Sequence, residues 1–278
     1  MSQSALITRF APSPTGYLHR GHAFSALTAH AAAEDAGGRF LLRIEDIDAQ
    51  RCSPRFETAI FEDLAWLGLT WEQPVRRQSD HMDLYRAALA QLIERDLVYR
   101  CFKTRAQVLD EIGRAPHASA QPYRGAALHA AEEARLIAEG RPFAWRLSLA
   151  RARQVLGDLS RLTFIDETAG TVVASPELAG DVVLARKDLG VAYHLAVVVD
   201  DAVQGVTHVI RGADLFEATH TQRLLQALLG LPTPTYRHHR LLLRPDGKRF
   251  AKRDQAETLR DIRARGVTPE ALRAELAL

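Results

Sequence analysis

The residues "RFAPSPTGYLHRGH" (Arg9–His22) separate a short apolar run from a longer helical pattern. The apolar run ends near Phe10 and predicts a buried strand, and the helical pattern begins at about Gly21. Pro12 and Pro14 remove backbone donors and disfavour helix at the residues before them, which predicts a loop between the two elements. Strand, loop and helix in this order are typical of the first half of a βαβ unit.

A second strand, "RFLLRIEDID" from Arg39 to about Glu45, completes that unit and predicts a parallel sheet. From residue 101 to residue 190 the pattern changes to a turn-rich segment followed by mixed helix and strand. We therefore predict an α/β protein with an inserted α+β domain at residues 101–190, flanked by the two halves of a parallel-sheet domain at residues 1–100 and 191–278.

Composition argues against a strongly basic, a disulfide-rich or a membrane-spanning protein. The chain has 278 residues and a net charge of only +2, so a nucleic-acid partner would have to be met by local basic patches. Cys52 and Cys101 are too few for a disulfide framework. The sequence contains no signal-peptide pattern and no stretch of about 18 apolar residues, so we expect no membrane span and a cytoplasmic location.

His19 and His22 lie three residues apart at the predicted start of the first helix, where their rings can point the same way. Gly21 lets a ligand approach the backbone, and the helix N-terminus favours phosphate. Imidazoles at this place can donate hydrogen bonds to phosphoryl oxygens. Two ordinary surface histidines are the plain alternative, and a zinc site would need further ligands that are not nearby.

A basic segment, "GKRFAKRDQ" (Gly247–Gln255), stands near the other end of the chain. It contains Lys248, Arg249, Lys252 and Arg253. Such runs are usually solvated, but together with the histidine pair this segment could neutralise the charge of a triphosphate.

Three blocks resemble glutamyl-tRNA synthetase, a class I aminoacyl-tRNA synthetase. "RFAPSPTGYLHRGHAFSAL" with "GGRFLLRIEDID" resembles the start of that family, and His19–His22 stand where its HIGH signature falls. Arg249–Arg253 stand where its KMSKS signature falls, and Tyr193–Gln222 are similar to a third block. The resemblance implies a Rossmann-type parallel sheet, the catalytic domain of class I synthetases, divided into two halves by the insert.

The chain ends soon after Arg253, where full-length synthetases continue into a helical anticodon-binding region. We therefore expect it to be similar to the short paralogues, the glutamyl-Q tRNA(Asp) synthetase family. That family attaches glutamate to the queuosine base at the wobble position of tRNA(Asp).

The resemblance also implies the residues that recognise glutamate. Arg9 and Arg211 would bind its side-chain carboxylate, with Tyr193 as a hydroxyl partner. Glu45 would hold the α-ammonium, and Ser13 would add a polar contact. Arginine is suited to planar carboxylates because its guanidinium presents parallel donors.

The implied reaction has two steps, formation of glutamyl-adenylate and transfer of glutamate to the acceptor. The implied catalytic residues are His19, His22 and Lys252, and the implied ATP-binding residues add Gly21 and Arg249. Mg²⁺ would arrive with ATP. The implied partners are L-glutamate, ATP and tRNA(Asp) carrying queuosine, and we expect a monomer.

Several residues depart from the family pattern. Arg20 is charged where the HIGH signature has an apolar residue. In the KMSKS-like segment, Arg249 and Ala251 replace the first lysine and the serine. Many short paralogues hold zinc with cysteines and a tyrosine, but here Lys103 replaces the second cysteine. One thiolate and one phenol cannot close a tetrahedral site, so we predict no zinc and an insert held by its apolar core.

Three other functions remain open from the sequence. A compact synthetase could charge tRNA(Glu) at its 3′ end, without regard to queuosine. An adenylyltransferase with the same histidine pair could activate a small acid and never bind RNA. A binding protein could retain the fold while its altered "RFAKR" segment no longer supports activation.

Overall fold

The computed structural model describes residues 5–114, 122–186, 190–242 and 257–277. Its strands are β1 (Ile7–Phe10), β2 (Arg39–Ile44), β3 (Arg76–Arg77), β4 (Val98–Cys101), β5 (Ala144–Leu147), β6 (Thr163–Asp166), β7 (Gly170–Val173), β8 (Val183–Arg186), β9 (Gly190–Val191), β10 (His208–Gly212) and β11 (Thr235–His239). Its α-helices are α1 (Arg20–Asp35), α2 (Pro54–Trp66), α3 (Met82–Glu94), α4 (Arg105–Arg114), α5 (Ala130–Ala138), α6 (Leu149–Leu156), α7 (Tyr193–Val203), α8 (Phe216–Leu229), α9 (Leu259–Ala264) and α10 (Pro269–Leu276).

Parallel pairing joins the strands of the catalytic half-domains. Strand β1 pairs with β2, β2 with β3, and β10 with β11, all in parallel. The two groups meet where the backbone N–H of Thr207 donates to the carbonyl of Ile7 at 2.9 Å. Helix α1 connects β1 to β2, as a parallel pair requires. The predicted βαβ unit and parallel sheet are therefore confirmed.

Glycines set the end of α1 and its return to the sheet. Gly37 has φ of +57°, a left-handed conformation that favours glycine. A Cβ on Gly38 would lie 2.1 Å from the carbonyl oxygen of Leu6, so only glycine fits there. The helix thereby ends next to β1, and Arg39 begins β2 by donating to the same Leu6 carbonyl at 2.7 Å.

A second sheet is antiparallel, in the order β4, β5, β8, β9. The hairpin β6–β7 does not join it. Instead, β6 pairs with β11 through the register Tyr236↔Asp166, so the hairpin extends the sheet of β10 and β11. Residues 101–190 thus contribute strands to two sheets, and the predicted domain division remains a prediction.

The end of the described chain packs against its beginning. Leu259 and Ile262 of α9, with Leu272 and Leu276 of α10, belong to the same buried cluster as residues of α1, β2 and α2. Burying such side chains contributes roughly 1.5–3 kcal/mol each. This packing carries α9 to the start of α1, where the histidine pair lies.

Among the described residues, the side chains around Cys101 supply too few ligands for zinc. Its Sγ atom lies 3.9 Å from the hydroxyl of Tyr123, and the Lys103 ammonium lies 5.7 Å from the centre of the Tyr123 ring. The positive charge of Lys103 would repel a zinc ion bound here. One thiol and one phenol also do not supply the four ligands that zinc needs. Among the described residues, no group of three His, Cys, Asp or Glu side chains could hold a metal ion. Tyr99 and Val108 pack around Cys101 and Tyr123 in a small buried cluster.

None of the helices in the described ranges has the length and apolar character needed to cross a lipid bilayer.

Candidate active site

A cavity of about 490 Å³ opens at the carboxyl ends of the parallel strands. Ligand sites of α/β sheets characteristically lie at this edge. The lining includes every predicted site residue in the described ranges: Arg9, Ser13, His19, Gly21, His22, Glu45, Tyr193 and Arg211. The lining also includes residues that we did not single out from the sequence: Phe24, Asp214, His239, Arg240, Leu241 and Leu242. One cavity therefore brings together the two halves of the predicted site.

Lys252 and Arg249, the predicted members from the basic segment, lie outside the described residues. The chain is described again from Glu257, and it returns next to the histidine turn. Thr258 forms an isolated antiparallel bridge with His19. The N–H of Leu259 donates to the carbonyl of Leu18 at 2.8 Å.

Backbone hydrogen bonds fix the loop that follows β1. The N–H of Glu45 donates to the carbonyl of Pro12 at 3.1 Å, and the N–H of Ser53 donates to the carbonyl of Pro14 at 3.0 Å. Proline has no backbone N–H to donate, but the carbonyls of both prolines accept hydrogen bonds and so anchor the loop. Ser13 lies between these anchors and is held at the cavity.

The two histidines cap α1 reciprocally. The Nδ1 atom of His19 accepts from the N–H of Gly21 at 3.1 Å, and Nδ1 of His22 accepts from the N–H of His19 at 3.2 Å. The ring centres are 3.8 Å apart. Because each Nδ1 is an acceptor, a neutral ring carries its proton on Nε2. Both imidazoles are therefore set to donate from Nε2 beside a helix N-terminus, a site suited to an anion.

Gly21 makes room for the His19 ring. A Cβ on Gly21 would lie 3.0 Å from Cε1 and 3.2 Å from Nδ1 of His19. A larger residue would crowd the ring and push it by a few tenths of an ångström from its capping position, so glycine leaves the imidazole undisturbed.

Arg20, which departs from the family pattern, has a structural explanation. Its Nη2 atom lies 3.3 Å from a carboxylate oxygen of Glu257, and its Nη1 lies 3.3 Å from a carboxylate oxygen of Glu275. The side chain of Arg20 is 15% exposed. This pair of contacts ties the start of α1 to the residue that precedes the Thr258 bridge and to α10.

A buried charge network holds Arg9 and Glu45. Asp201 accepts from Nε of Arg9 at 3.0 Å and from Nη1 of Arg43 at 2.7 Å. Arg43 also donates to Glu45 from Nη2 at 3.1 Å. Burial opposes ionisation of Asp201, but the two guanidinium groups hold its pKa below the usual value. Burial instead raises the pKa of Glu45, against the opposing effect of Arg43 and Arg9.

Arg211 is held by side chains and a carbonyl around its guanidinium. Nε donates to Nε2 of His238 at 3.2 Å, and Nη2 donates to Thr219 and Gln222 at 2.8 Å each. Nη2 also lies 3.3 Å from the carbonyl of Leu215. Nη1 lies 3.5 Å from the hydroxyl of Tyr193. These contacts turn the Nη1 edge of the guanidinium towards Tyr193, which also lines the cavity.

Sequence reasoning did not identify the residues that hold these arginines. In "VVVDD", Asp201 binds Arg9 and Arg43. Its neighbour Asp200 is fully buried and accepts from Arg76 and Tyr85 at 2.7 and 2.8 Å. Two consecutive acidic residues after an apolar run were the available signal, because buried carboxylates need cationic or hydroxyl partners.

A smaller cavity of about 210 Å³ adjoins the first and shares Ser13, Thr15, Glu45 and Tyr193 with it. Its other lining residues include Asp48, Arg51, Cys52, Gln78, Arg186 and Gly190. The four shared residues therefore line both cavities.

Comparison with known proteins agrees with this geometry. The family described as "tRNA synthetases class I (E and Q), catalytic domain" matches residues 5–278. Glutamyl-Q tRNA(Asp) synthetase of Rhodobacter capsulatus is 47% identical over 98% of this chain and 100% of its own length. The protein of the same name from Symbiobacterium thermophilum is 42% identical over 98% of this chain and 85% of its own length.

A solved structure shows the same architecture in a longer enzyme. The crystal structure of a glutamate tRNA ligase from Elizabethkingia meningosepticum, in complex with its amino acid, matches with a TM-score of 0.81 at 29% identity. The match covers 99% of this chain and 61% of that chain. The predicted fold class is therefore confirmed.

The fold and the matched family define the catalytic domain of a class I aminoacyl-tRNA synthetase, a ligase. Within the class I tRNA synthetases for glutamate and glutamine, the chain belongs to the family of the glutamyl-Q tRNA(Asp) synthetases.

Proposed function

We propose that the protein activates L-glutamate with ATP and transfers it to the queuosine base of tRNA(Asp). The observation that carries this proposal is the shared cavity, whose lining includes both the His19–His22 turn and buried Arg9 and Arg211. A phosphate-binding helix end and a pair of carboxylate-binding side chains in one space fit the two substrates of an acyl-adenylate reaction.

Glutamate binds through charge complementarity at its two ends. Arg9 and Arg211 bind the side-chain carboxylate, and Tyr193 adds a hydroxyl contact. Glu45 binds the α-ammonium, and Ser13 adds a polar contact from the loop. Both arginines are about 95% buried, so they act where water screens little.

In the first step, an oxygen of the α-carboxylate attacks the α-phosphorus of ATP. The bond to the bridging oxygen breaks, and pyrophosphate leaves with its electron pair. His19 and His22 donate from Nε2 to phosphoryl oxygens whose charge grows in the transition state. Gly21 admits the phosphates to the backbone, and Arg249 and Lys252 add positive charge. Magnesium, if it arrives with ATP, would neutralise part of the phosphate charge.

In the second step, a hydroxyl of the acceptor attacks the activated carbonyl, loses its proton, and AMP leaves. No nucleophile from the protein is needed, so the chain acts by positioning. The smaller cavity, which Glu45 and Tyr193 line and the His19–His22 turn does not, is a place where the acceptor could approach the activated carbonyl.

Glutamate-dependent exchange of pyrophosphate into ATP tests the first step. We expect exchange with L-glutamate and little with L-glutamine or L-aspartate. Exchange with an unrelated acid, but not with glutamate, would favour an adenylyltransferase of different specificity. Absence of exchange with every acid would favour a binding protein and refute the proposal.

The acceptor tRNA, the oligomeric state, the cellular location and the absence of zinc are each tested by a separate measurement. Charging of tRNA(Glu) at its 3′ end, independent of queuosine, would favour the compact-synthetase alternative. Light scattering tests the expected monomer, and cell fractionation tests the expected cytoplasmic location. Metal analysis of the purified protein tests the prediction that no zinc is bound.

A further inference from the structure

A buried histidine–aspartate pair lies behind Arg211. His238 of β11 and Asp166 of β6 are joined by a hydrogen bond of 2.6 Å between Nδ1 and Oδ2. They are 7% and 1% exposed, and neither lines the cavity. The register Tyr236↔Asp166 between β11 and β6 brings the two residues together. Within the described ranges, His238 reaches the proposed glutamate site through Arg211, and its Nε2 atom also lies 3.2 Å from the hydroxyl of Thr219, which accepts from Arg211.

The protonation state of the pair follows from its partners. The other oxygen of Asp166 accepts backbone N–H groups from Thr168 and Ala169 at 2.9 Å each. A carboxylate can only accept, so Nδ1 of His238 carries the proton and Nε2 does not. Burial and Arg211 lower the pKa of His238 to about 4, against the opposing effect of Asp166. The ring therefore remains a neutral acceptor at neutral pH.

This acceptor fixes one edge of the guanidinium. Nε of Arg211 donates to Nε2 of His238 at 3.2 Å. Phe216 meets the His238 ring edge-on at 5.0 Å between centroids, and Tyr236 lies nearly parallel to it at 5.9 Å. The imidazole is thus held by its neighbours, and it holds the plane of Arg211 in turn.

We propose that His238 and Asp166 are positioning residues that orient Arg211 for recognition of the glutamate side chain. The inference rests on the proposed function, in which Arg211 binds that carboxylate. The hydrogen bonds of Nε and Nη2 leave Nη1 to meet the glutamate carboxylate, so the contact depends on the direction in which the guanidinium plane is held. Glutamine presents amide hydrogens to the same donors, so an oriented Arg211 also disfavours the amide.

A pair of substitutions at residue 238 separates the two hydrogen bonds of the ring. The amide group of asparagine lies about where Nδ1 of the histidine ring lies, and the amide group of glutamine lies about where Nε2 lies. His238→Asn therefore loses the acceptor for Arg211, whereas His238→Gln keeps it. Residues that orient a ligand-binding side chain commonly change affinity by this much, so we expect His238→Asn to raise KM for glutamate roughly 10–100-fold. We expect KM for ATP to stay unchanged, and His238→Gln to remain close to the wild type.

Asp166→Asn is the second route to the same test. The asparagine amide of this variant can donate a hydrogen bond to Nδ1 of His238, and the ring proton would then move to Nε2. A proton on Nε2 would face the N–H of Arg211 and break the hydrogen bond between them. We expect this variant to raise KM for glutamate as His238→Asn does. It should also reduce the preference for glutamate over glutamine, measured as the ratio of kcat/KM in pyrophosphate exchange.

The outcomes distinguish this inference from the proposed function. Equal effects of His238→Asn and His238→Gln, or equal rises in KM for both substrates, would show a general structural role and overturn it. If the wild type shows no glutamate-dependent exchange, the proposed function fails. Calorimetric titration with L-glutamate then decides the inference, which is refuted if His238→Asn or Asp166→Asn binds like the wild type.

Discussion

Nε of Arg9 donates to Oδ1 of Asp201 at 3.0 Å, which joins the first strand of the chain to the last turn of α7. The same oxygen accepts from Arg43 at 2.7 Å, so one carboxylate serves two buried guanidinium groups. Arg9 lines the cavity while Asp201 does not. The shape of the amino-acid pocket therefore depends on a contact between residues 192 positions apart.

Asp201→Asn should destabilise the protein strongly, because buried Arg9 loses its carboxylate partner and buried Arg43 loses one of its carboxylate partners. We expect the free energy of unfolding to fall by about 3–5 kcal/mol in urea titrations. Asp83→Asn, which removes an exposed partner of Arg86, is the matched control and should change it by less than about 1 kcal/mol. Equal effects of the two substitutions would contradict the role of the network.

His22→Ala should depress adenylate formation while glutamate still binds. The substitution removes both a phosphate donor and an acceptor of the helix cap, so His22→Gln is the informative companion. Glutamine at this position favours a capping box but has no imidazole. If the donor role is correct, both variants should lose about 100-fold in kcat for pyrophosphate exchange.

The matching control is the dissociation constant for glutamate, which should be unchanged in both His22 variants. Full exchange activity in His22→Gln would show that the imidazole serves the helix cap alone.

Arg20→Leu restores an apolar residue of the kind found in the family signature but removes both ion pairs of Arg20. Glu257 precedes the residue that bridges to His19, so loss of these pairs should disturb the histidine turn. We expect kcat for exchange to fall about tenfold, since small misplacements near reacting groups are costly. Arg20→Lys should retain most of the activity. Equal activity of Arg20→Leu and the wild type would show that the pairs are dispensable.

Asp63 gives a prediction about pH. It is fully buried in α2, and neither carboxylate oxygen has a hydrogen-bond partner among the residues described. Burial raises its pKa from 3.8 to about 6, partly offset by Arg260 and Arg263. The folded carboxyl therefore keeps its proton where the unfolded one has lost it, so this group costs stability as pH rises through that window.

Asp63→Asn should remove the penalty. We expect the variant to be more stable than the wild type by about 1–3 kcal/mol at pH 8, with a smaller gain at pH 4. Glu62→Gln changes the exposed neighbouring carboxylate and is the control. A gain that is the same at both pH values would contradict ionisation of Asp63 as the cause.

Local sequence patterns predicted the elements around the site. The elements β1, α1, β2 and α2 were predicted from the positions of proline and glycine, from helical periodicity and from apolar runs. These signals act over a few residues, so they can be recognised without knowing the fold. Resemblance to the family then supplied Arg9, Glu45 and Arg211, and the structure places all three at one cavity.

The supporting residues could not be predicted in the same way. Asp201 reaches Arg9 across 192 positions, and Asp166 reaches His238 across 72. These contacts depend on strand order and on which buried charges meet, and neither follows from periodicity. The pairing of the hairpin β6–β7 with β11 was also not predicted, since apolar alternation does not specify a partner strand.

Transfer of labelled glutamate to tRNA tests the central claim most directly. The protein is incubated with ATP, labelled L-glutamate and tRNA(Asp) that carries or lacks queuosine, with tRNA(Glu) in parallel. We predict label only on the queuosine-containing tRNA(Asp), and its loss in Arg211→Ala. Equal labelling of tRNA(Asp) without queuosine, or labelling of tRNA(Glu) alone, would contradict the account.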